Sequence, residues 1–167
     1  MLDGQAESIS LPPASVDFIT AGQAFHWFDL DRTRAEFTRI LRPDGWAVLV
    51  WNDRELTGSK FAEEYESLLV RFGIDYADVH QRGKATVASF ERFFGNRTFA
   101  RESFPNLQRL DSEQFVARVL SASYMPGPGH IKHAAMMREV DRIFSENENN
   151  GVVAMKYTTS LIYGRLT

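Results

Sequence analysis

The stretch "VDFITAGQAFHWFD", Val16 to Asp29, decides how the chain folds. Its first part, "VDFIT" (Val16 to Thr20), is short, apolar and rich in β-formers, so it reads as a buried strand. A loop with Pro12 and Pro13 precedes it. The rest, "AGQAFHWFD" (Ala21 to Asp29), passes through small residues into a helix-like run. A strand leading through such a loop into a helix is where open α/β proteins hold ligands.

Working outward, Leu30, Phe37, Ile40 and Leu41, with Thr33 between, form one helix face, and Asp29 is its expected N-cap. "RPDG" (Arg42 to Gly45) is expected to stop that helix in a turn. "WAVLVW", Trp46 to Trp51, is apolar at every position and predicts a strand covered on both faces. Strand, helix and strand make a right-handed βαβ unit. A second helix is expected from about Ser59 to Phe72, with Phe61, Tyr65, Leu68, Leu69 and Phe72 on one face and Gly73 at C′. "VASFERFF" predicts a short helix inside the less regular residues 74 to 97.

The second half has another rhythm. "TFARESF", Thr98 to Phe104, alternates like a strand. Asp111 with Gln114 resembles a capping box, opening a helix through about Ala122. "YMPGPGH" reads as a loop, and a helix from about Ile131 to Phe144 follows it. The closing "VVAMKYTTSLIYGRL" is a long strand with Val153, Met155, Tyr157, Thr159, Leu161 and Tyr163 on one face. The last two strands are expected to form an antiparallel edge. The whole chain, 1–167, reads as a single domain, with helical insertions at 73–97 and 111–150 near a substrate side.

Composition bounds the function. The chain has 167 residues, 44% hydrophobic and 25% charged, with formal net charge -3, the balance of a soluble globular protein. No basic excess is present to neutralise phosphates, so nucleic acid is not expected as a partner. No apolar run approaches the ~20 residues of a membrane helix. "MLDGQAESIS" lacks the parts of a signal peptide, and a cytoplasmic location is expected. With no cysteine, thiolate chemistry and Cys-ligated zinc are excluded.

His26 lies where a ligand crevice is expected and could act as a general base near neutral pH, or could simply pack between Phe25 and Trp27. Phe25 and Trp27 could flank a flat ring or fill the core. Asn52, Asp53 and Arg54, after Trp51, could line a substrate mouth or solvate a turn. His130 and His133 could share a helix face, but no further metal ligands accompany them. No phosphate-cradling glycine loop and no GxSxG elbow occurs.

Together, "GQAESISLPPASVDFITAGQAFHWFDLDRTRAEFTRILRPDGWAVLVWNDRE" resembles the middle of class I S-adenosylmethionine-dependent methyltransferases, closest to the type 11 group. "SFPNLQRLDSEQFVARVLSASYMP" and "YTTSLIYGRL" resemble that group's C-terminal part. The resemblance implies α/β architecture: a partial Rossmann-like methyltransferase sheet, fourth to seventh strands, with flanking helices. It implies that Gln5, Ala6 and Glu7 lie beside the adenine of S-adenosylmethionine, and that Gln23, Ala24, Phe25 and Trp27 line the same crevice. His26 is the catalytic candidate, and Trp51, Asn52, Arg54 and Tyr124 are the substrate-side candidates; no metal is expected.

The family's glycine-rich loop and ribose-binding acidic residue have no counterpart in these residues. The resemblance therefore implies a truncated form, binding the cofactor weakly or not at all, whose substrate in a complete enzyme is a small molecule. The rival expectation is a non-catalytic association module. Such a module would pair the open edge of its first strand with a second copy or with a separate N-terminal half.

Overall fold

The computed structural model describes residues 4–76, 85–95 and 99–166. In order, the elements are β1 (Val16–Gly22), a 3₁₀ turn (Phe25–Trp27), α1 (Leu30–Ile40), β2 (Leu41–Arg54) and α2 (Lys60–Phe72). They continue as α3 (Val87–Phe94), β3 (Phe99–Leu110), α4 (Ser112–Leu120), α5 (His133–Asn147) and β4 (Val153–Gly164). The sheet order is β1-β2-β4-β3. β1 and β2 are parallel, with Phe18 opposite Trp46 and Ala21 opposite Leu49. β4 is antiparallel to β2, because Asp44 meets Arg165, Trp46 meets Tyr163 and Asn52 meets Thr159. It is antiparallel to β3 by the same logic, with Glu102 on Tyr163 and Ser103 on Ser160. This mixed α/β sheet is the Rossmann-like arrangement expected.

The chain divides into two compact units: residues 1–52, 83–104 and 159–167, and residues 53–82 and 105–158. The first unit's core is aromatic. Phe25, Phe37, Trp51, Phe90, Phe93 and Phe94 pack with Leu49 and Ile162. The second unit's core joins the apolar face of α2 to α4 and α5 through Tyr65, Leu68, Phe115, Met136 and Ile143.

The helix signals act as the sequence implies. Asp29 accepts from the Arg32 N–H and Ser59 from the Ala62 N–H. Asp111 and Gln114 make both bonds of a capping box. The five α2 residues expected on one face are the five buried ones.

Several local expectations need correction. β1 is not a buried strand: it ends the sheet, and Phe18 is 66% exposed. Within Trp46–Trp51, β2 is buried only at Ala47, Leu49 and Trp51, while Trp46, Val48 and Val50 are half-buried. The buried face of β4 changes parity, from Val153, Met155 and Tyr157 to Ser160 and Ile162. Each unit's core takes the side chains facing it, and successive side chains on a strand point opposite ways. Gly73 is not a left-handed cap, since its φ is -60°. Glycine stands there for space: a Cβ would lie 2.6 Å from the Leu69 carbonyl oxygen. Thr98 and residues 77–84, 96 and 97 of the proposed insertion lie outside the described residues.

"RPDG" is not a turn between helix and strand either. From Val16 to Phe18 the partner on β2 jumps from Leu41 to Trp46, so residues 42–45 form an irregularity inside β2. A Cβ at Gly45 would lie 2.7 Å from Leu41 Cδ2 and 3.1 Å from the Asp17 carbonyl oxygen. Gly45→Ala should therefore destabilise the protein by about 1–3 kcal/mol, the usual cost of overpacking, as measured by urea unfolding.

Candidate functional site

The β1–α1 loop is tied to β2 at its start by Gln23. The Gln23 N–H donates to the Val50 carbonyl at 2.9 Å, and Gln23 Nε2 donates to the Asn52 carbonyl at 3.1 Å. Gln23 has a φ of 54°, a left-handed conformation that reverses the chain directly after β1. Nothing occupies the space above Gly22 where a Cβ would stand. The loop then tightens into the 3₁₀ turn, with the Trp27 N–H on the Ala24 carbonyl.

This geometry separates the three aromatic candidates. Phe25 is 2% exposed, and its ring meets Phe28, Trp51, Phe90 and Phe93 with centroids 5.1 to 6.0 Å away. It is a core residue that anchors the loop, not a crevice wall. Trp51, a substrate-side candidate, is 8% exposed and belongs to the same cluster, so it too is spent on packing. Trp27 is 72% exposed, and its ring centroid lies 4.8 Å from that of His26. His26 Nδ1 is buried without a hydrogen-bond partner. The exposed indole of Trp27 is a face on which a flat ring could stack.

The segment before β1 is clamped onto α1. Glu7 Oε1 accepts from the Asp29 N–H at 3.0 Å and from Thr33 Oγ1 at 3.3 Å. The Asp29 backbone bond holds the Glu7 carboxyl below the usual carboxylate range. Gln5 pairs with Ser8 in an isolated bridge, and Ala6 is half-buried against the first unit's core. Glu36 accepts from Arg39 and from the Ile9 N–H, while Arg39 also donates to the Leu11 and Ile9 carbonyls.

The Arg39 hydrogen bond, then the Ile9 N–H, lowers the Glu36 pKa to about 2. A depressed folded pKa contributes stability above the unfolded value, and that contribution is lost as pH falls through the folded one. The Glu36 contribution should therefore be complete near neutral pH and disappear between the ordinary carboxylate range and about 2. NMR titration of the Glu36 carboxyl should find that midpoint, and Glu36→Gln should flatten stability over the window.

The remaining candidates are placed as follows. Asn52 accepts from Thr159 Oγ1 at 2.5 Å, and Asp53 is exposed. Arg54 lies in the second unit, where Nη2 donates to Glu66 at 2.5 Å and the guanidinium sits 4.7 Å from the Tyr65 ring centroid. Tyr124 packs against Tyr76 in the same unit with the rings tilted by 51° and centroids 5.1 Å apart. His130 Nδ1 accepts from the Lys132 N–H, and His133 Nδ1 contacts the Pro126 carbonyl, so both serve local structure. Sequence reading missed Glu66, Tyr76, Arg118 and Tyr157. The available signal was polar groups bordering the apolar face of α2 and α4, which a one-dimensional pattern cannot pair. No helix among the described residues is long and apolar enough to cross a membrane.

A parallel strand pair whose first loop opens into a helix is the arrangement in which open α/β proteins commonly hold ligands. Residues 1–49 match the family model described as a methyltransferase domain. An uncharacterized methyltransferase of Mycobacterium bovis is 48% identical over 52 residues, which is 31% of this chain and 21% of that protein. One from Schizosaccharomyces pombe is 42% identical over 52 residues, with the same coverage of 31% and 21%. The matches thus span about a fifth of those relatives' length. A provisionally named type II methyltransferase from Anaeromyxobacter dehalogenans shares the fold, with a TM-score of 0.58 and 20% identity over 98% of this chain and 70% of that one. Residues 1–49 are thus similar to a methyltransferase domain, and the chain shares its fold with that solved structure.

Proposed function

We propose that the protein takes part in S-adenosylmethionine-dependent methylation of a small molecule in the cytoplasm. The observation that carries the reading is the β1–α1 loop, which falls inside the 49-residue match and offers an exposed indole beside a glycine with open space where a Cβ would stand. When bound, the cofactor's sulfonium supplies an electrophilic methyl group. Trp27 would hold the cofactor's flat ring by stacking, and Gly22 would leave room for it close to the backbone. His26 stands beside Trp27 with its Nδ1 buried, where it would help to set the position of the indole. Phe25 and Trp51 fix the loop from beneath, and Gln23 ties it to β2. Positioning of this kind can supply much of a methyl transfer's rate without a strong base.

These residues form one wall of a pocket, and the 167 residues contain no glycine-rich cofactor loop. The chain alone should therefore bind S-adenosylmethionine weakly. Titration calorimetry showing micromolar affinity would contradict that. With turnover measured in the complete enzyme, Trp27→Ala should weaken cofactor binding more than His26→Ala does. A far larger turnover loss for His26→Ala, at unchanged cofactor affinity, would make His26 the general base.

A second reading is favoured by β1 alone. It ends the sheet with Phe18 66% exposed, so its edge can pair with a second copy or with a separate N-terminal half. Sedimentation at low micromolar concentration should show association that Phe18→Lys weakens. A stable monomer would rule this reading out.

A further inference from the structure

α5 passes into β4 through "NNGV", Asn149 to Val152, which holds the one Asn-Gly pair in the sequence. The Asn149 N–H donates to the Val152 carbonyl at 2.9 Å, and the Val152 N–H donates back to the Asn149 carbonyl at 3.4 Å, closing a two-residue turn. Asn150 and Gly151 both have left-handed backbones, with φ of 53° and 77°. Asparagine and glycine are the residues that such a turn selects. Both are exposed, so water reaches them. Glu148 caps the C-terminus of α5, and its Oε2 accepts from the Gly151 N–H at 2.6 Å. Val153, directly after the turn, is buried in the second unit's core.

We propose that Asn150 is a site of spontaneous deamidation and that the Glu148 carboxylate sets its rate in the folded chain. In that reaction the Gly151 nitrogen, its proton lost to solvent, attacks Cγ of Asn150. The N–Cγ bond forms, the Cγ–Nδ2 bond breaks, and the side-chain nitrogen takes up a proton and leaves as ammonia. Water then opens the cyclic imide at either carbonyl, giving aspartate or isoaspartate. Glycine favours the attack because no Cβ crowds its nitrogen. That nucleophile is the group Glu148 holds. Its N–H must leave a charged acceptor before the attack, and the Asn149–Val152 bridge restrains the rotation that brings it to Cγ. Aspartate tolerates the left-handed position. Isoaspartate adds an atom to the main chain inside the turn, and so breaks the bridge directly before Val153.

The test incubates the full chain in mildly alkaline buffer, folded and in guanidinium chloride, and follows the tryptic peptide of residues 143–156 by mass spectrometry. The folded wild type should deamidate at Asn150 about tenfold more slowly than the unfolded chain, the weight of one hydrogen bond to a charged acceptor. Folded Glu148→Ala should recover most of that factor. Glu148→Gln, which keeps a neutral acceptor oxygen, should fall between them, and all three chains should agree when unfolded. Asn147 and Asn149, which glycine does not follow, should lag behind Asn150 in every sample. Equal rates for folded and unfolded wild type, an unchanged rate in folded Glu148→Ala, or earlier loss at Asn147 or Asn149 would overturn the proposal. If Glu148→Ala fails to fold, Glu148→Gln carries the comparison, and the contrast between folded and unfolded wild type decides without either variant.

Discussion

Phe25→Ala should lower the unfolding free energy by about 3–5 kcal/mol, the range for emptying a buried aromatic site. Its ring is 2% exposed and makes four aromatic contacts, so truncation leaves a cavity bordered by rings that cannot all move inward. Trp27→Ala, two residues away, should stay within about 0.5 kcal/mol because that side chain is 72% exposed. Urea unfolding of both variants checks the division of labour in "AFHWF" between a core anchor and a ligand face. Similar stability losses in the two would erase it.

Glu66→Ala should cost about 2–4 kcal/mol, close to the penalty for stranding one member of a buried ion pair. Arg54 keeps its position over Tyr65 but loses the carboxylate that balances it. The cost is held below the fully buried case because the Glu66 side chain is 24% exposed. Tyr76, whose hydroxyl donates to Glu66 at 2.8 to 2.9 Å, loses that hydrogen bond at the same time. Glu66→Gln, which retains an acceptor oxygen, should recover part of the loss. Thermal denaturation of the two variants gives the comparison, and an unchanged midpoint in Glu66→Ala would contradict it.

What could be read from the sequence follows from range. Caps and helix faces depend on residues three or four apart, and Asp29, Ser59, Asp111 with Gln114 and the five apolar α2 positions were readable for that reason. The "RPDG" irregularity was not, because proline and glycine mark a turn unless a neighbouring strand absorbs the extra residues. The fate of Phe25 was open for a related reason: an aromatic in a ligand loop and one in the core share the same local pattern. Only the approach of Phe90 and Phe93 from a distant helix decides it. The Arg54–Glu66 pair joins the end of β2 to the middle of α2. His26 and Trp27 were placed correctly in their loop because its strand and its helix each carry strong local signals.

The most direct test of the central claim, that the β1–α1 loop receives S-adenosylmethionine, is an NMR titration of the 167-residue chain with S-adenosylhomocysteine. The account predicts saturable shifts at Gly22, Gln23, His26 and the Trp27 indole, with weak affinity and with Phe25 little changed. Saturable shifts confined to other segments, or none at ligand concentrations well into the millimolar range, would contradict it.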